Sequence, residues 1–517
     1  MNPLLRLLPT LAVACALTLP AGPAAQAQPI ELPALGDASA DDLSLANERK
    51  LGEQIMRQIR RDKAYLPDPD TLEYLNNLGY RLVAASPARH MDFTFFAIRD
   101  PTLNAFALPG GFIGMHTGLI IASQSESELA SVLAHEIGHV DQRHIARMLS
   151  NQKDSVAITI GTLLLALLAS RYGGNSSSDL AQAAILGGQS LALQQQLSFS
   201  RDAEREADRV GFQSLTAAGY DPRGMADFFT RLQQGTRIYE SAAPAYLRTH
   251  PMTVERIADM QNRLQGTSYK PRPDSLDFHL VRARLRVLQD DTVQGWRDAR
   301  EHFDSQLRSR AAASETAARY GLALATLRLN QPEQAYTLAQ AARKSTRESA
   351  PMLDKLVAEA RFAAAGANEA ERLAAIQMAR DATQRYPLSR LTALTYVDLL
   401  QQDGQHEAAV AFMREQLAIS RSDTTFYSLV ARSYAELGKK SLHHQAVAEA
   451  YLLLGVTPAA LEQLTRARAA ADADYYTMSE IDARWRQVQQ QWREEQERLG
   501  RIPPSGDGQK PDRSRPQ

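Results

Sequence analysis

The chain of 517 residues is too long for a single compact core and is sized for two or three folded units. Hydrophobic residues make up 44% and charged residues 23%, which excludes wholesale disorder and a fibrous repeat. Its 58 Lys and Arg balance 59 Asp and Glu without a basic run, so a nucleic-acid binder working through a broad basic face is excluded too. The single cysteine, Cys15, rules out a disulfide framework and a cysteine-rich metal site.

Residues 1–27 read as a cleaved signal peptide. Leu7 to Leu19 form a short apolar core, and Ala25-Gln26-Ala27 supplies the small-x-small cleavage pattern, so Gln28 is expected to begin the mature chain. Export suits a mature chain without cysteine, because a stray thiol is a liability in an oxidising compartment. The expected location is therefore the periplasm.

Residues 28–265 are expected to form a first domain with a small sheet. Residues 41 to 62 have a helical pattern. Asp92 to Ile98 reads as a strand, and Asn104 to Met115 as a hairpin folding on Pro109-Gly110-Gly111. Ser125 and Glu128 make a capping box that opens a helix with Leu129, Val132, Leu133, Ile137 and Val140 at helical spacing. Further helices are expected over about 196 to 217 and from Arg256 to Leu264. The uncharged run from Ser155 to Ser170 is short of the roughly 20 residues needed to span a bilayer. It reads as a buried helix or as an apolar flap that touches membrane or substrate, with Tyr172 to Ser178 as its loop.

Residues 266–275 (GTSYKPRPDS) read as a linker. From 276 to 500 the pattern is all-helical, with turns at Asn330, Gly404, Gly438 and Gly455. Gly404 and Gly438 are one tetratricopeptide period of 34 residues apart. Residues 501–517 should be disordered. The fold class expected is mostly α: an α+β domain followed by an all-α tetratricopeptide-like domain.

The strongest chemical signal is His135-Glu136-Ile137-Gly138-His139. Histidines at i and i+4 project from one helical face, so both imidazoles can reach one ion, and Glu136 can take a proton from a water there. Such a motif arises by chance on the order of 0.01 to 0.02 times in a chain of this histidine content. A catalytic zinc needs a third protein ligand. The metzincin pattern fails, because Gln142 and Ile145 stand where Gly and His would be required. His144 is about half a turn out of phase with His135. A later helix offers Glu204 and Asp208 on one face, with Glu206 as a rival ligand; spacing does not decide between Glu204 and Glu206.

These motifs, with Leu247-Arg248-Thr249-His250-Pro251 and Arg256-Ile257, resemble the zinc endopeptidase family that includes the CAAX prenyl proteases, specifically its periplasmic branch with a C-terminal tetratricopeptide domain. The resemblance implies one Zn²⁺ per chain on His135, His139 and Glu204, with Glu136 as general base and Asp208 accepting a hydrogen bond from a ligand histidine. It gives His250 one of two roles, beside the transition state or as a displaceable fourth ligand that plugs the zinc. Arg256 would pair with an acidic site residue or with substrate, or else merely make a salt bridge at a helix end. Asn104, Ala105, Phe106 and Ala107 match the family's edge strand, which can bind an extended peptide by adding it to the sheet.

The activity implied is degradation of unfolded or misassembled outer-membrane β-barrel proteins, together with help in their assembly. The partners implied are stalled outer-membrane proteins, the β-barrel assembly machinery through the repeat domain, and a peripheral membrane contact, with no nucleic acid. Two other readings are a chaperone or scaffold with a latent metal site, and a general periplasmic peptidase.

Overall fold

A computed structural model of the chain describes residues 44–150, 200–238, 245–265, 272–419, 421 and 423–498. The leader, the apolar run at 155–170 with its loop at 172–178, residues 266–271 and the tail at 501–517 lie outside them.

Ser44 caps α1 (Leu45–Ile59), which buries Ile55, Met56 and Ile59 against Phe96 and Phe112 of the sheet. After β1 (Tyr65–Leu66), Asp68 caps α2 (Pro69–Ala84), with proline at the first helical position. The sheet is completed by β2 (Thr94–Ile98), β3 (Ala105–Leu108) and β4 (Phe112–His116), in the order β1-β2-β4-β3. β2 and β4 are parallel, whereas β3 pairs antiparallel with β4 and is left at the edge. The hairpin turn runs through Gly110 and Gly111, both at positive φ (75° and 82°), where a side chain would be strained. Arg49 of α1 donates to the Gly110 carbonyl at 2.8 Å and so pins this turn.

After α3 (Thr117–Ala122), the central helix is α4 (Glu126–Asp141), in which every residue from Glu126 to Val140 is buried. Its apolar residues go all round, as a helix wrapped by the core requires. Ser125 accepts the Glu128 N–H as the capping box predicts, but Glu128 reaches one residue further back, to the Gln124 N–H at 2.7 Å. Arg231 holds the same carboxylate. α4 packs on β3, on α6 (Arg201–Ala217) and on α7 (Arg223–Ile238). Between α4 and α6 lies α5 (His144–Ser150); after α7 come α8 (Ala245–Thr249) and α9 (Val254–Leu264). Among the described residues no helix is long and apolar enough to cross a membrane.

From Ser275, which caps α10 (Leu276–Leu288), the described residues are helices joined by short turns, from α11 (Val293–Arg308) to α21 (Tyr475–Arg498). Between them lie α12 (Glu315–Arg328), α13 (Pro332–Lys344), α14 (Pro351–Ala365), α15 (Glu369–Arg385), α16 (Arg390–Gln402), α17 (His406–Ile419), α18 (Thr424–Glu436), α19 (Lys440–Leu453) and α20 (Thr457–Ala469). Asn330, Gly404, Gly438 and Gly455 all stand at positive φ in the turns, where the sequence places them. The mostly α fold class is as expected: a small mixed sheet with its helices, then an all-helical array.

The helical array is not a separate body. One apolar core runs from Leu66 and Tyr74 through Phe278 and Tyr320 to Leu391. Buried Arg284 of α10 forks onto both oxygens of Asp68 at 2.6 and 2.8 Å, and Lys355 of α14 pairs with Asp70. Further along, Glu73 accepts from Ser389 Oγ at 2.7 Å and from the Leu391 N–H at 2.9 Å.

Candidate active site

α4 and α6 cross at two glycines. A Cβ on Gly138 would stand 2.8 Å from the Ala207 carbonyl oxygen, and one on Gly211 would stand 3.1 Å from the Ala134 backbone. The bare backbones let the two helices come close enough for Glu204 and Asp208 to reach the face bearing His135 and His139. Ser200 caps α6 and accepts the Ala203 N–H, placing Glu204 in the first turn, where the helix dipole favours a carboxylate.

Four atoms converge from three segments. His135 Nε2 and His139 Nε2 stand 3.0 Å apart. Glu204 Oε1 lies 3.4 Å from His139 Nε2, and Glu204 Oε2 lies 3.5 Å from His135 Nε2. His250 Nδ1 is 3.0 Å from Glu204 Oε1 and 3.4 Å from His135 Nε2. Ligand atoms of these four buried residues all lie within 4.8 Å of one another. Neither oxygen of fully buried Glu136 has a hydrogen-bond partner among the described residues, and His250 Nε2 stands 3.5 Å from its Oε1. Three imidazole nitrogens and a carboxylate aimed at one point, beside an orphaned buried carboxylate, fit a divalent transition metal with a polar group between it and Glu136.

The electrostatics follow from burial. Burial pushes the Glu136 carboxyl up, opposed by His250 and His135, so this group is made more basic than a surface glutamate. Burial also pushes Glu204 up, but His250, His135 and His139 outweigh it and hold the carboxyl well below the ordinary range. For His135, burial is overcome by Asp208 and Glu204, which raise it to about 9; for His139, burial dominates and lowers it. Asp208 Oδ1 contacts His135 Nδ1 at 2.9 Å. Arg256 donates to both Asp208 oxygens at 2.7 and 2.8 Å, while its Nη1 lies 2.6 Å from Glu204 Oε2.

A model of peptidase family M48 matches residues 69–264, the stretch that builds this constellation. The chain is 32% identical to the β-barrel assembly-enhancing protease of Escherichia coli, over 89% of this chain and 91% of that one. The chain belongs to peptidase family M48. A second relative, the putative β-barrel assembly-enhancing protease of Vibrio cholerae, is 38% identical over 65% of this chain and 68% of its own length. The metalloprotease LoiP of Escherichia coli is 25% identical over 45% of this chain and 86% of its own. As an M48 member the protein is a metallopeptidase.

Within this M48 site, the structure brings together His135, Glu136, His139, Glu204, Asp208, His250 and Arg256. The rival Glu206 faces away, 3.0 Å from His144 Nε2 and 2.7 Å from Arg147. Of the family-like edge strand, Ala105, Phe106 and Ala107 lie on β3, with Asn104 just before it. Tyr246 was not visible from the sequence. Its buried ring stacks on His250 at 4.6 Å, and its backbone N–H donates to the Leu103 carbonyl at 3.1 Å. The segment carrying His250 is thereby tied to the residue before Asn104. Spacing gave no signal for this contact, which joins positions 143 apart.

Proposed function

We propose that this protein is a periplasmic zinc endopeptidase acting on unfolded or misassembled outer-membrane β-barrel proteins, and that it also assists their assembly. The observation that carries the reading is the convergence of His135 Nε2, His139 Nε2 and Glu204 Oε1 beside the fully buried Glu136 carboxylate. The two-nitrogen, one-oxygen set suits zinc with one protein-free position. Two relatives are named for enhancing β-barrel assembly, which supports the choice of substrate. The division into a peptidase unit at 28–265 and a repeat unit at 276–500 rests on the position of the M48 match and on the all-helical pattern after Ser275.

When bound, zinc supplies Lewis acidity toward the scissile carbonyl and acidifies a water. Glu136, made basic by burial, takes the proton from the attacking water and returns it to the leaving amine. Asp208 orients His135, and Arg256 neutralises the two buried carboxylates that would otherwise repel. Among the described residues no strand pairs with the outer edge of β3, so an extended chain can pair with Asn104 to Ala107 by backbone hydrogen bonds that tolerate many sequences. The repeat unit is the docking surface for outer-membrane assembly proteins.

His250 favours a second state of the same enzyme. Its Nδ1 stands 3.0 Å from Glu204 Oε1 and 3.4 Å from His135 Nε2, so the imidazole would take a fourth metal position and hold the peptidase latent until displaced. A scaffold whose metal site is never used would share this geometry but would not need Glu136. Glu136→Gln should keep zinc and lose turnover by about a hundredfold or more. Normal cleavage by that variant would refute the assignment.

A further inference from the structure

The two ligand histidines are held from behind in different ways. His135 Nδ1 faces the buried carboxylate of Asp208 at 2.9 Å. Among the described residues His139 Nδ1 meets an imidazole instead: it lies 2.8 Å from Nδ1 of His144, which is itself buried. His144 Nε2 lies 3.0 Å from Glu206 Oε2, and Arg147 Nη2 meets the same oxygen at 2.7 Å. Glu204 and Glu206 are two residues apart on α6 and so point about 200° apart, one into the site and one toward α5.

Two imidazole nitrogens at 2.8 Å share one proton, so one ring donates and the other accepts. Glu206 decides the direction. A carboxylate only accepts, so the Nε2 of His144 carries a hydrogen and, in the neutral ring, Nδ1 keeps its lone pair. That lone pair takes the Nδ1–H of His139, which leaves His139 Nε2 with a free lone pair turned toward His135 Nε2 and Glu204. We infer that His144, oriented by Glu206, is a positioning residue that fixes the tautomer and ring plane of His139 so that its Nε2 binds the metal. The inference rests on the metal-centre reading above. It also gives Glu206 a task in the site other than ligation. Outer partners of this kind typically set metal affinity by 10- to 100-fold.

The test is the zinc dissociation constant of the full-length protein, measured by competition with a chromogenic chelator. His144→Leu should weaken zinc about tenfold or more, whereas His144→Asn, whose side-chain carbonyl can accept the His139 proton, should recover most of it. Wild-type affinity in His144→Leu overturns the inference. So does equal weakening in both variants, since a packing role alone would not distinguish them. If His144→Leu does not fold, Glu206→Ala at the surface replaces it. A weakening of about threefold or more is then expected, and an unchanged affinity overturns the inference. A His139→Ala control that binds zinc as tightly as wild type would overturn the metal-centre reading itself, an outcome distinct from failure at His144 alone.

Discussion

Arg256 Nη1 stands 2.6 Å from Oε2 of Glu204, and neither side chain is more than 2% exposed. The same guanidinium grips both oxygens of Asp208, so one cation balances two carboxylates that face His135 and His139. Removing it takes the guanidinium from two buried carboxylates and leaves them only the histidines, a loss that typically costs about 3–5 kcal/mol. Arg256→Ala should therefore lower both unfolding stability and zinc content. Arg256→Lys should restore little, because a point charge cannot fork onto Asp208 while reaching Glu204. Denaturant unfolding and metal analysis of the two variants check this; a lysine variant equal to wild type would count against it.

The glycine one residue before His139 has a packing reason. A methyl on Gly138 would meet backbone atoms of Ala207, which cannot rotate away, so α4 and α6 must separate. Overpacking of this kind costs about 1–3 kcal/mol. The larger effect should be on turnover, since an ångström of misplacement between Glu204 and the two histidines can cost about a hundredfold. Steady-state kinetics of Gly138→Ala should show a fall in kcat well beyond its loss of stability.

The peptidase half and the helical array share a core and a buried ion cluster, so they should unfold together. Arg284→Leu would strand Asp68 in that interface, leave Asp70 to Lys355 alone, and should cost about 3–5 kcal/mol. Calorimetry should show one transition over the described core, moved to lower temperature in the variant. Two transitions, with only one of them moved, would contradict the shared core.

His116 supplies a pH dependence away from the ligand cluster. Its Nδ1 lies 3.0 Å from Thr102 Oγ1 and 3.4 Å from Oδ1 of buried Asp100, an oxygen that also accepts the Thr102 hydroxyl and backbone N–H. Burial lowers His116 from 6.5 to about 4. A histidine depressed in the folded state contributes stability that is full above about pH 6.5 and is lost as pH falls through about 4. The shift is equivalent to roughly 3 kcal/mol across that window. Unfolding free energies at pH 7 and pH 4.5 should fall steeply in wild type and less steeply in His116→Gln. Equal slopes would show that His116 is not a source of the dependence.

What was legible in the sequence is what local spacing encodes. His135, Glu136 and His139 share a helix whose cap is written at Ser125, and the glycine turns of the array follow from the need for positive φ. The parallel pairing of β2 with β4 was not legible, because it joins segments separated by a hairpin. The choice of Glu204 over Glu206 depends on where α6 crosses α4, and spacing alone left it open. Helical phase puts His144 on the far side of α4 only if that helix runs on past Asp141. The helix in fact stops at Asp141, because Arg143 is left-handed (φ 51°) and is held there by Glu48, 95 residues away. His144 therefore starts a new helix and meets His139 from the side.

The most direct test is cleavage of an unfolded outer-membrane β-barrel protein by zinc-loaded full-length His250→Ala, with and without Glu136→Gln. The account predicts cleavage faster than wild type when Glu136 is present and none when it is replaced. Absence of cleavage despite bound zinc, or cleavage that survives Glu136→Gln, would contradict it.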